Sequence, residues 1–128
     1  MVSFCSTSHF VPFPGFVPPL EAGIGIEKGL FNQTLDNFLY SHKEEVSFVN
    51  IDMDLYSGAV YVLKRLIPRF SNECIVHFHE LTGEGKKGMD ELRALYEIID
   101  EFPNYSWQLI LVFGRGRSSQ IFRVTKSD

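Results

Sequence analysis

Two apolar runs of strand length, "EVSFVNIDMD" (45–54) and "CIVHFHE" (74–80), stand on either side of an amphipathic segment, "GAVYVLKRLI" (58–67). The middle segment carries Ala59, Val62, Leu63, Leu66 and Ile67 on one helical stripe and stops near Pro68, where a missing N–H and a fixed φ end a helix. Strand, helix, strand confines the chain to a small set of α/β arrangements. The first strand finishes in Asp52 and Asp54, the second in His79 and Glu80. In a sheet of this kind ligands bind outside the carboxyl ends of parallel strands. Parallel neighbours would therefore bring these acids and His79 to one crevice.

The rest of the chain continues the pattern. "NQTLDNFLYSH" (32–42) predicts a helix with Asn32 as its N-cap and Leu35, Phe38 and Leu39 on one face. Ser57 is placed to cap the helix over 58–67. "GMDELRALYEIIDEF" (88–102) predicts a helix with Leu92, Leu95, Tyr96 and Ile99 at i, i+3, i+4, i+7 spacing. "SWQLILVFGRG" and "SQIFRVTK" predict two strands joined through "GRGRS" as a hairpin. "GIGIEKG" (23–29) predicts a further short strand. Residues 1–22 read as an N-terminal arm and 23–128 as the domain, because residues 1–20 hold four of the six prolines and four phenylalanines without helical or alternating period. Aromatics at that density need cover, so the arm packs on the domain or acts as a lid or dimer contact.

A chain of 128 residues with 45% hydrophobic content is long enough for one buried core. A net charge of −4 provides no broad basic surface, which argues against nucleic acid, although Arg115, Arg117 and Arg123 cluster late in the chain. The apolar runs are too short to span a membrane. Cys5 and Cys74 form no CxxC pair and read as free thiols, and no secretory leader is recognisable, so a cytoplasmic setting is expected.

Three local motifs compete. "DMDLYSG" opens with calcium-loop spacing, but Tyr56, Ser57 and Leu63 occupy positions that need oxygen ligands, glycine and glutamate. "GIGIEKG" lacks the preceding strand and following helix of a dinucleotide loop. His77 and His79 lie on one strand face and would hold zinc with a third ligand such as His9 or His42; against this, His77 sits between Val76 and Phe78, where a core histidine is the commoner outcome. The grouping of Asp52, Asp54, His79 and Glu80 is more coherent, because carboxylates from adjacent strand ends can chelate a hard cation. Strand-end acids that merely cap helices remain the alternative.

Over "KGLFNQTLDNFLYSHKEEVSFVNIDMDLYSGAVYVLKRLIPRFSNECIVHFHEL" the chain resembles the later half of class I S-adenosylmethionine-dependent methyltransferases, in particular the macrocin O-methyltransferase-like group. Gly29, Phe31, Thr34, Leu35, Phe38, Leu39, Ile51, Asp52, Asp54, Leu55, Tyr56, Ser57, Phe78, Glu80 and Glu91 fit that group's pattern, which covers about residues 24–100. The resemblance implies an α/β fold, a partial Rossmann-like methyltransferase sheet of the third to seventh strands, with flanking helices and a C-terminal antiparallel hairpin. It implies S-adenosylmethionine as cofactor, with Gly29, Leu30, Phe31 and Asp52 on the cofactor side. It also implies magnesium or another divalent metal on Asp52, His79 and Glu80 beside a small-molecule hydroxyl substrate. His79 stands where the pattern has aspartate, and neutral imidazole is a poorer magnesium ligand than carboxylate. That exchange shifts the site towards a softer metal.

The family's first strand, glycine-rich loop and second-strand acid have no counterpart in the sequence, so a truncated or degenerate form with impaired cofactor binding on its own is expected. The strand at 45–54 would then expose an edge able to recruit a second copy or a partner chain. Two other readings stand beside this one: a noncatalytic α/β interaction module, and a small His/Asp metal-binding protein.

Overall fold

The computed structural model describes residues 2–5, 19, 21–53, 55–82 and 90–127, and the chain divides into two compact units, Met1–Lys43 and Glu44–Asp128. The division falls between Lys43 and Glu44, and the first unit joins residues from both sides of position 22. No described helix is long and apolar enough to cross a membrane.

In the first unit, β1 (Val2–Cys5) pairs in parallel with β2 (Gly25–Lys28), Val2 facing Gly25 and Cys5 facing Lys28. The beginning of the expected arm is thus a strand, while residues 6–18 and 20, on which the lid and dimer-arm reading depends, lie outside the described residues. Gly29 follows β2 at φ 134°, and a Cβ there would stand 3.0 Å from Thr34 Cγ2, so glycine is required for both conformation and space. Helix α1 (Phe31–Ser41) starts from Leu30 in extended conformation and buries Leu35. Asn32 is inside this helix and does not cap it; the end is instead organised by Leu30 O, which accepts from the Thr34 hydroxyl at 3.1 Å and from Gln33 N–H at 2.8 Å.

The second unit is a four-stranded sheet. Its strands β3 (Val46–Ile51), β4 (Phe70–Phe78), β5 (Tyr105–Phe113) and β6 (Ser119–Lys126) stand in the order β3-β4-β6-β5. β3 and β4 are parallel, joined through α2 (Tyr56–Leu66), and β6 runs antiparallel to both β4 and β5. The expected hairpin is therefore present, and β5 runs in the same sense as β3 and β4. The parallel pair needs a crossover, and the buried stripe of α2 provides one that packs back on the sheet. Ala59, Val62, Leu63, Leu66 and Ile67 are all buried as the spacing predicts, although Ile67 opens a 3-10 turn, Ile67–Arg69, rather than closing the helix. Ser57 lies inside α2, whose N-cap is Leu55 with no side-chain bond.

The β4 strand shows why one face of the sheet is core. Cys74, Val76 and Phe78 are buried and alternate with Ile75 and His77 on the other face. Their neighbours across the ladders are Val124 for Cys74, and Val49 and Phe122 for Val76. Helix α3 (Asp90–Glu101) packs against α2 with Ala94, Leu95 and Ile98. This corrects the expected stripe. Leu95 is buried, but Tyr96 is 66% exposed and Ile99 is exposed, and the buried set is Glu91, Ala94, Leu95 and Ile98. Both sets have the same helical spacing, and the true one begins at an acid that hydropathy places outside.

Candidate functional site at the carboxyl ends of β3 and β4

The parallel ladder between β3 and β4 runs one bond past the strands. His79 N–H donates to Ile51 O at 2.9 Å. That bond draws the residues after each strand together, and Asp52 Oδ1 lies 3.6 Å from His79 Nδ1. The side chains are 61% and 53% exposed, so the pair faces solvent. At this separation the contact is electrostatic and longer than a hydrogen bond. Ser119 Oγ donates to His79 O at 2.8 Å, fixing the same backbone from the β6 side.

Glu91, in the first turn of α3, is 3% exposed and sits behind this pair. Its Oε1 accepts from Met53 N–H at 2.9 Å, while Oε2 is buried without a hydrogen bond among the described residues. Burial raises its pKa to about 7, the Asp52 and Glu80 charges add to the rise, and the Met53 and Glu80 amides oppose it. The carboxyl group thus ties the loop after β3 to the start of α3. The residue pattern contains Glu91, but its burial and its bond to Met53 are products of tertiary packing that helical spacing does not announce.

His77 is half-buried and stacks on Phe113, with ring centroids 5.5 Å apart at 29°. Its Nε2 is buried without a hydrogen bond, and burial first, then the His79 charge, lowers its pKa, so the neutral form is favoured. His42 lies in the first unit at the end of α1, stacked on Phe38 with its Nδ1 3.0 Å from Phe38 O. His9 and Asp54 lie outside the described residues. Among the described residues, no three His, Cys, Asp or Glu side chains form a group that could hold a metal ion. Asp52 and His79 meet, and Glu80, exposed in the turn after β4, does not complete a donor set with them. The described donors therefore do not fit a metal centre.

Gly29, Leu30 and Phe31 stand at the entrance of α1 in the first unit. The close approach of Thr34 accounts for the glycine there without a ligand. Asp52, in the second unit, offers an exposed carboxylate, chemically fit to accept hydrogen bonds from ligand hydroxyl groups.

No family model and no curated protein matches the chain. Solved structures do. CalS11, a TDP-rhamnose 3'-O-methyltransferase of calicheamicin biosynthesis, is similar with a TM-score of 0.63 at 23% identity over 78% of this chain and 42% of that one. A putative O-methyltransferase from Klebsiella pneumoniae has a TM-score of 0.60 at 10% identity over 82% and 50%. The O-methyltransferase from Bacillus cereus in complex with SAH has a TM-score of 0.59 at 18% identity over 80% and 50%. The chain spans about half the length of these three proteins. Its α/β fold is the Rossmann-like fold of the O-methyltransferases to which it is similar.

Proposed function

We propose that the chain is an O-methyltransferase-type protein that uses S-adenosylmethionine, with His79 and Asp52 acting on the hydroxyl acceptor. The observation that carries this reading is the Asp52–His79 contact of 3.6 Å at the carboxyl ends of two parallel strands, in a sheet of methyltransferase fold. S-adenosylmethionine, when bound, supplies a methyl group on a sulfonium sulfur that leaves as a neutral thioether. The chain's own task is to make the acceptor oxygen nucleophilic. With Nδ1 turned to Asp52, His79 Nε2 takes the hydroxyl proton as the oxygen attacks, and the Asp52 carboxylate stabilises the imidazolium that results. Glu91 holds the Met53 backbone beside Asp52 and so fixes where that carboxylate stands. This assignment gives His79 a role other than metal ligand.

The chain alone is expected to bind the cofactor weakly. Incubation with S-adenosylmethionine and a panel of polyhydroxylated acceptors, read as S-adenosylhomocysteine formed, tests the roles. His79→Ala and Asp52→Asn should each lower the rate by about 100-fold or more. Turnover unchanged in His79→Ala contradicts the assignment of the base.

A second reading has its own support. β3 is an edge of the four-stranded sheet, and Phe48 on it is exposed. An edge of this kind suits pairing with a second copy or another chain.

A further inference from the structure

The turn between β5 and β6 carries two cations that the proton-transfer pair does not use. Gly114 (φ 82°), Gly116 (φ 65°) and Arg117 (φ 58°) all take the left-handed region. An arginine is disfavoured there, and a non-glycine residue kept in that region at a strand end is a pointer to function. The turn is fastened to the end of β4. Thr82 Oγ1 donates to Arg117 O at 3.3 Å, Leu81 N–H to Ser118 O at 2.9 Å, and Ser119 Oγ to His79 O at 2.8 Å. Because β5 runs with β3 and β4, its carboxyl end and this turn lie at the same end of the sheet as Asp52 and His79.

Other arginines of the second unit are engaged. Arg123 pairs with Glu73 at 3.6 Å, Arg93 lies over the Tyr56 ring at 4.2 Å, and Arg69 donates to Glu44 O at 3.1 Å. Arg115 and Arg117 are exposed and make no side-chain ion pair or hydrogen bond among the described residues. Two such guanidinium groups, two residues apart in a chain of net charge −4, form a local positive feature at the same end of the sheet as Asp52 and Glu80.

We propose that Arg115 and Arg117 hold a phosphoryl group of the acceptor molecule, at the opposite end of the same site from the Asp52–His79 pair. The inference rests on the methyl-transfer reading for what the other end does. Guanidinium groups bind phosphate oxygens through paired N–H donors, and two of them suit a diphosphate better than a single carboxylate. The acids Asp52 and Glu80 repel the same group, so the charges set the direction in which a phosphorylated hydroxyl compound enters. Its uncharged hydroxyl end is left at His79.

The test uses the full chain and three probes, UDP-glucose, inorganic pyrophosphate and methyl glucoside, followed through backbone amide shifts at low salt. UDP-glucose should shift residues 114–119 and residues 79–82, pyrophosphate only the turn, and methyl glucoside neither. The double variant Arg115→Gln/Arg117→Gln should weaken UDP-glucose binding by about tenfold or more, and lysine at both positions should restore part of it. Both side chains are exposed, so the rest of the spectrum should be unchanged in the variants. Binding equal to wild type in the double variant, or equal binding of methyl glucoside, overturns the proposal. Pyrophosphate binding with no response to UDP-glucose also overturns it, leaving an adventitious anion only. Parallel titration with S-adenosylhomocysteine separates the two readings. Its binding without any phosphate response removes this inference alone, whereas phosphate binding without it removes the methyl-transfer reading and with it the acceptor role.

Discussion

Glu91 buries a carboxyl group whose charged form the site disfavours, and that has a direction in pH. Its folded pKa is about 7 against 4.5 for the free group. Between those values the folded state holds more protons than the unfolded one, so this group's contribution falls as pH rises from 4.5 to 7. Glu91→Gln keeps an oxygen for Met53 N–H and removes the charge. The variant should be more stable than wild type at pH 8 by on the order of 2 kcal/mol and nearly equal to it at pH 4.5. Denaturant midpoints at both pH values check this, and a difference that does not change with pH contradicts it. Cys74 gives a second expectation. Burial pushes its thiol to about 12, so in the folded protein it should resist alkylation at pH 8, read by mass spectrometry of its own peptide, and react once denatured. At this scale the meeting of Asp52 with His79 was legible, because each residue follows an apolar run. Ser119, which fixes the His79 carbonyl, was not, since nothing local marks it.

Helices α2 and α3 show how far period alone carries. In α2 the apolar stripe is also the buried stripe, from Ala59 to Ile67. In α3 two apolar stripes overlap, Leu92–Leu95–Tyr96–Ile99 and Ala94–Leu95–Ile98, and α2 selects the second, aided by polar contacts at the interface rim. Tyr56 OH donates to Glu97 on α3, and Lys64 Nζ lies 2.8 Å from Glu101 Oε2. The hydrogen bond to Glu97 is the main cause raising the Tyr56 pKa, and the same bond lowers that of Glu97. Leu95→Ala should therefore cost about 2–4 kcal/mol, while Tyr96→Ser should change stability by less than about 0.5 kcal/mol, measured by chemical denaturation. Equal effects would place the core on the other stripe. The caps were misread for one reason: Asn32 and Ser57 have capping side chains, but Leu30 and Leu55 already hold the extended backbone that starts each helix.

At the scale of the whole molecule, the α/β class and the terminal hairpin follow from the order of apolar runs, and strand order does not. β6 inserts between β4 and β5, a choice made by long-range pairing of Cys74 with Val124 and Trp107 with the same residue. The pairing of β1 with β2 was equally invisible, because the proline-rich segment between them hides a strand partner. The β3 edge makes self-association a measurable outcome. Sedimentation at rising concentration should show a dimer, and a single monomeric species at high concentration contradicts edge pairing. The reading of the chain as a methyl-transfer protein that uses S-adenosylmethionine meets its most direct test in calorimetric titration with S-adenosylhomocysteine. Saturable heat with a dissociation constant on the order of 0.1–1 mM is expected; no saturable heat at millimolar ligand contradicts it.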